Sequence, residues 1–184
     1  MNLSMTIQIL EITLNGYDDK DERLMPLLKN RIFHSTSEVG YHGIAACGEV
    51  LSAKDHNIER QWPNAPSLFY GLGSISLWDF YHPSQKNIED NIFKQTFYRH
   101  GQSLITYLLM LKEDMFHKVT TWYDLDPKIQ PKFQIVPHIE SGLPAPVPLK
   151  WFDQIIKINL WEDRPWHEGK EAELMALINN YNKS

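Results

Sequence analysis

Apolar residues recur along this chain at two spacings, and the spacings assign most of the elements. In residues 3–14, LSMTIQILEITL, Ile7, Leu10 and Leu14 fall at helical intervals, which predicts a helix closed by Asn15-Gly16, although the β-branched neighbours also allow a strand. Residues 21–29 read as a short helix or turn limited by Pro26. Arg31 to His34 is a short strand. Ser37 can cap the helix that follows, which tolerates Gly40, buries Val39, Ile44 and Ala45 or Ala46, and ends at Gly48 in a left-handed stop. Residues 53–67 form a long loop with two prolines. Two glycines then open a strand carrying Ile75, Leu77 and Phe80.

The second half of the chain is richer in strands. Asn87 to His100 is a helix with Ile88, Ile92, Phe93 and Phe97 on one face, stopped by Gly101. Ser103 to Leu111 is a continuous apolar run whose Ile, Thr and Tyr content favours a buried strand. Met115 to Tyr123 reads as a short helix and 124–132 as a proline-broken loop. Phe133 to Ile139 alternates as a strand that Pro137 directs to a sheet edge. SGLPAPVP, 141–148, reads as an extended linker, Ile155 to Leu160 as a strand, and Glu168 to Tyr181 as a terminal helix. Helices first, then strands and helices without strict alternation, predict an α+β fold with mixed or antiparallel sheets, not a doubly wound one.

Composition narrows the class without naming a function. The 184 residues fit one domain, divided here into an N-terminal helical segment (1–29), a core (30–160) and a C-terminal helix (161–184). A formal charge of −5 and the lack of a basic run argue against general nucleic-acid binding. The single cysteine, Cys47, excludes an internal disulfide, and its place at a helix end reads as a small buried residue. No apolar segment reaches the length of a membrane span, and no basic leader precedes the first apolar stretch, so a cytoplasmic protein without a membrane partner is expected. The eight histidines show no H-E-x-x-H and no Cys-His cluster, and no metal site is expected. No P-loop exists, and Gly71-Leu72-Gly73 alone is weak evidence for phosphate binding.

Three distant stretches each join an apolar strand to polar residues: Phe33-His34-Ser35-Thr36, Gly73-Ser74-Ile75-Ser76, and Pro137-His138-Ile139-Glu140-Ser141. For the first, His34, Ser35 and Thr36 are either a helix cap or part of a nucleotide pocket. Taken in order across roughly residues 30–160, the three resemble the motifs of the ADP-ribosyltransferase fold, in its branch with a His on the first strand. Phe33-His34-x-Thr36 followed by a helix and Gly48 is similar to the first motif, with Ser35 where glycine is usual. Gly71 to Ser76 is similar to the second, with Ser76 or Tyr70 in place of its tyrosine. Glu140, before a proline-rich turn and a last apolar strand, stands like the acid of the third.

The resemblance implies NAD as a substrate, cleavage of its nicotinamide–ribose bond, and transfer of ADP-ribose to a protein, nucleic-acid or small-molecule acceptor. Positive charge develops on the ribose carbon as that bond breaks, and a carboxylate aligned on the ribose hydroxyls, here Glu140, stabilises it. By the same resemblance His34 would bond the adenosine ribose and Thr36 would fix the strand around the nicotinamide. Tyr41 or Tyr70 would stack on the nicotinamide ring. Ser35, Ser74 and Ser76 complete the expected cofactor-binding set. The alternative is a non-enzymatic binding module: an antitoxin, an immunity protein or a phage-encoded inhibitor. Its acidic surface would meet a protein partner, with Gln61-Trp62-Pro63 and Asp163 to His167 as contacts. The two part on one point: a transferase needs His34, Thr36, Ser76 and Glu140 in one cleft.

Overall fold

ITYLLML, residues 105–111, has too few polar positions to face water on either side, and it forms one of the two central strands of the main sheet. The computed structural model describes residues 7–15, 19–52, 68–91, 104–128 and 138–160. Eight strands are assigned there: β1 (Gln8–Leu14), β2 (Ile32–Ser37), β3 (Glu49–Val50), β4 (Ser74–Asp79), β5 (Ile105–Leu111), β6 (Glu140–Pro144), β7 (Val147–Pro148) and β8 (Phe152–Leu160). Six of them make one sheet in the order β1-β8-β5-β2-β4-β6, and β3 pairs with β7 separately. Every pairing in the large sheet is antiparallel except β1 with β8. The chain is therefore mixed α and β with a mostly antiparallel sheet, in keeping with an α+β class.

Buried apolar clusters lie on both faces of the sheet. On one lie Ile12, Leu14, Phe33, Leu108, Met110, Ile156 and Ile158, packed under Leu24 and Leu28 of the turn Lys20–Leu24 and helix α1 (Met25–Leu28). On the other lie Ile32, Ile75, Leu77, Leu109, Leu111, Leu143 and Ile155, with Ile44 of helix α2 (Glu38–Cys47) and Phe116. The first is the α1 face of the sheet and the second its α2 face. A small third cluster joins Phe69, Trp122 and Leu125.

Several expected elements change type. Residues 8–14 are a strand, not a helix: Ile12 and Leu14 are buried in alternation, and seven residues of β1 run in register with Gln154–Leu160. The β-branched content and this pairing outweigh the helical spacing. SGLPAPVP is not a linker. Ser141 to Leu143 are buried within β6, and Pro144 and Pro148 stand at strand ends, where a missing N–H does least harm. His138 and Ile139 form a turn, so that strand starts at Glu140; residues 133–137 lie outside the described residues.

Helix α2 starts and stops as its sequence directs. Ser37 Oγ accepts from the Gly40 amide at 3.2 Å, and Gly48 at φ 78° closes the end through its N–H to the Ile44 carbonyl at 2.8 Å. It buries Ile44, but Val39 is 83 % exposed and Ala45, Ala46 and Cys47 are exposed as well. A helix lying over the sheet by one narrow stripe has no second side to bury. Met115 to Tyr123 falls on two 3-10 turns, Glu113–Lys118 and Trp122–Asp124. Of the helix expected over 87–100, residues 87–91 belong to the helix Gln85–Asn91, with Ile88 buried, and 92–100 lie outside the described residues. The loop 53–67 and the C-terminal helix 161–184 lie outside the described residues. No helix among the described residues is long and apolar enough to cross a membrane.

Candidate functional site

The three motif stretches, separated by up to a hundred residues in the chain, fall on neighbouring strands. Phe33 to Thr36 lie in β2, Ser74 and Ser76 in β4, and Glu140 opens β6; β4 stands between the other two. The register is explicit. Phe33 is opposite Trp78, Trp78 is opposite Glu140, and Ser76 is opposite Gly142. Successive side chains on a strand point to opposite faces. Ser74, Ser76, Trp78 and Glu140 therefore share the α1 face, with Ser35 opposite Leu108 on that same side. Glu140 and Ser76 are diagonal neighbours there.

The same alternation sends His34 and Thr36 to the α2 face, opposite Leu109 and Tyr107. The sheet thus puts Ser35, Ser74, Ser76 and Glu140 on one face, with Ser76 nearest Glu140 by register, and His34, Thr36 and Tyr41 on the other, so the four residues a transferase needs in one cleft are divided between two faces. Tyr41, on α2, stacks on Tyr107 with ring centroids 4.1 Å apart and planes 10° from parallel, so one face of its ring is already covered. Tyr70 belongs to the short helix Leu68–Gly71, and its side chain lies outside the described part of the structure.

His34 reaches across the sheet at the place where two strands part. The β2–β4 ladder comprises Ile32 with Asp79 and Phe33 with Trp78, and one residue further His34 directs its ring at β4 instead. Its Nδ1 lies 3.0 Å from the Ser76 carbonyl oxygen. A carbonyl only accepts, so Nδ1 carries the proton. Burial holds the His34 pKa below its ordinary value, and the hydrogen bond to Ser76 opposes that shift in part. The neutral ring then has its lone pair at Nε2. Thr36 is 9 % exposed and Glu140 7 % exposed, so both groups act in surroundings where water screens little. Gly40 lets α2 approach β2: a Cβ there would overlap the Thr36 hydroxyl. Gly142 does the same for β6, where a Cβ would enter the Phe69 ring.

A second arrangement was not among the residues singled out from the sequence. Asp79, at the end of β4, is 1 % exposed. Its Oδ1 accepts from the amides of Tyr81 and His82, each at 3.0 Å, and its Oδ2 accepts from His82 Nδ1 at 2.8 Å. His82 lines an open pocket of about 600 Å³ together with Asn30, Tyr81, Glu113, Phe116 and His117. The signal in the sequence is an aspartate closing an apolar strand with a histidine three residues on, Asp79-Phe80-Tyr81-His82.

No family model matches this chain, and no curated protein and no solved structure matches it either.

Proposed function

We propose that the protein binds NAD and transfers its ADP-ribose to an acceptor, with Glu140 as the catalytic carboxylate. One observation carries this: the three motif stretches occupy the neighbouring strands β2, β4 and β6, with Glu140 and Ser76 diagonal on one face. In the step proposed, the bond between the ribose carbon and the nicotinamide nitrogen breaks. The bonding pair leaves with nicotinamide, and the acceptor's nucleophilic atom forms the new bond to the same carbon and then loses its proton. Glu140 would hold the ribose hydroxyls and oppose the positive charge that develops on the ring, an interaction stronger for a nearly buried carboxylate than for one in water. Ser35, Ser74 and Ser76 share its face, and Ser76 is the nearest of them by register.

A second reading has an observation of its own. His34 and Thr36 turn to the face away from Glu140, as a module that binds without turning over its ligand would permit. Nicotinamide release from NAD by the purified protein, beside Glu140→Gln, decides between them. Release that the substitution abolishes supports the transferase. No release from either protein, with no heat of NAD binding by calorimetry, overturns it and favours the binding module.

A further inference from the structure

The pocket beside His82 is separate from the face that carries Glu140, and its chemistry is of another kind. It sits where β2 begins and β4 and β5 end. Asn30 stands just before β2, Tyr81 and His82 just after β4, and Glu113, Phe116 and His117 in the 3-10 turn that follows β5. Its volume of about 600 Å³ is in the range that holds a small organic molecule.

The lining is selective in charge. It contains one carboxylate, Glu113, two imidazoles and no lysine or arginine. Behind His82 stands the buried carboxylate of Asp79. Glu113 is thus the one charged carboxylate in the lining, no lysine or arginine offsets it there, and the lining favours a positive guest. The aromatic wall favours the same guest. Tyr81 and Phe116 meet with ring centroids 4.9 Å apart at 55°, and Tyr81 packs edge-on to His82 at 4.9 Å. Ring faces attract cations, and ring edges give an apolar body somewhere to lie.

His82 is the fixed polar contact. Its Nδ1–H is committed to Asp79, whose other oxygen is locked by two amides, so the ring cannot turn without breaking a buried hydrogen bond. Nε2 is left as the atom that meets a ligand, and it accepts an N–H. A metal ion fits the site less well: no group of three or more His, Cys, Asp or Glu side chains among the described residues is arranged to hold one.

We infer that this pocket is a binding site for a small organic ammonium with an apolar body. Glu113 would meet its charge, His82 Nε2 would accept one N–H, and Tyr81 and Phe116 would flank the rest. This goes beyond NAD chemistry and does not depend on it.

The test uses the full chain and three probes of one shape and different charge: benzylammonium, benzyl alcohol and benzoate. Amide and imidazole NMR shifts are followed during each titration. Benzylammonium should move the resonances of Tyr81, His82, Glu113 and His117 and bind at least about tenfold more tightly than benzyl alcohol, with benzoate weakest, as one charge-assisted hydrogen bond requires. Glu113→Gln is exposed and should fold normally, and it should remove the preference for the cation. Val39→Ser, far from the pocket on the surface of α2, should leave the titration unchanged. Equal affinity for the three probes, shifts confined to other parts of the chain, or a preference that survives in Glu113→Gln would each overturn the inference.

Discussion

His34 donates its Nδ1–H to the carbonyl of Ser76 at 3.0 Å, joining β2 to β4 through a side chain one residue beyond their two-pair ladder. The burial of this ring has a consequence for stability. Burial keeps the His34 pKa below 6.5, its value in the unfolded chain. Between the folded pKa and 6.5 the unfolded chain binds more protons than the folded one, so stability rises with pH in that window. Acidification below 6.5 should therefore destabilise the fold until the folded pKa is passed. Urea unfolding of the wild type between pH 7.5 and 5.0 should show the loss, and His34→Gln should show a smaller one. Equal slopes for the two proteins would mean that His34 titrates alike in both states.

The helix that follows gives a simpler test. Of the polar run His34-Ser35-Thr36-Ser37, only Ser37 caps α2, and the other three are strand residues. Ser37→Ala leaves the Gly40 amide without its acceptor and should cost about 1 kcal/mol. Thr36→Ala removes no cap and should leave the helix N-terminus intact by amide exchange. If the two substitutions expose the Gly40 amide equally, the assignment of the cap to Ser37 is wrong.

The helix stop at Gly48, the cap at Ser37 and the buried strand around Leu108 were all legible because each depends on local chemistry: a left-handed glycine, a short hydroxyl, an unbroken apolar run. Residues 8–14 were not. Their Ile and Leu spacing suits either element, and the choice is made by β8, almost 150 residues away. The burial of Ser141 and Gly142 was hidden for a similar reason. Three prolines in eight residues mark a linker only if no partner strand waits, and β4 waits. For the site, the three stretches could be picked out from their composition, but strand alternation, which sets the face each side chain takes, could not be applied until the bounds of β2 and the register of β4 against β6 were known. Asp79 and His82 read as an ordinary strand end, since nothing local shows that the aspartate is buried.

Gly142 is held to glycine by the ring of Phe69, which is 1 % exposed and lies where a Cβ would go. Gly142→Ala should cost about 1–3 kcal/mol through overpacking, against the small gain that alanine normally brings to a strand. In a Phe69→Leu background the same substitution should cost less, giving a coupling energy that a double-mutant cycle measures. Additive effects would place the strain somewhere other than this contact.

Asp79 supports two amides and one imidazole from a position almost closed to water. Asp79→Ala strands three donors at once, and breaking a buried charged network of this kind should cost about 2–4 kcal/mol by urea unfolding. Asp79→Asn is the sharper variant. Its side-chain oxygen still accepts from the Tyr81 and His82 amides, so the turn should survive at a cost of about 1 kcal/mol. Its NH₂ now faces His82 Nδ1, and two donors cannot share a bond. The neutral imidazole must then give up its Nδ1 proton and carry it at Nε2, the atom that faces a ligand. Nitrogen chemical shifts of the His82 ring should report that exchange of tautomer, while those of His34, anchored on a different carbonyl, should not move. An unchanged His82 tautomer in a folded Asp79→Asn protein would show that the carboxylate does not set the orientation of the ring.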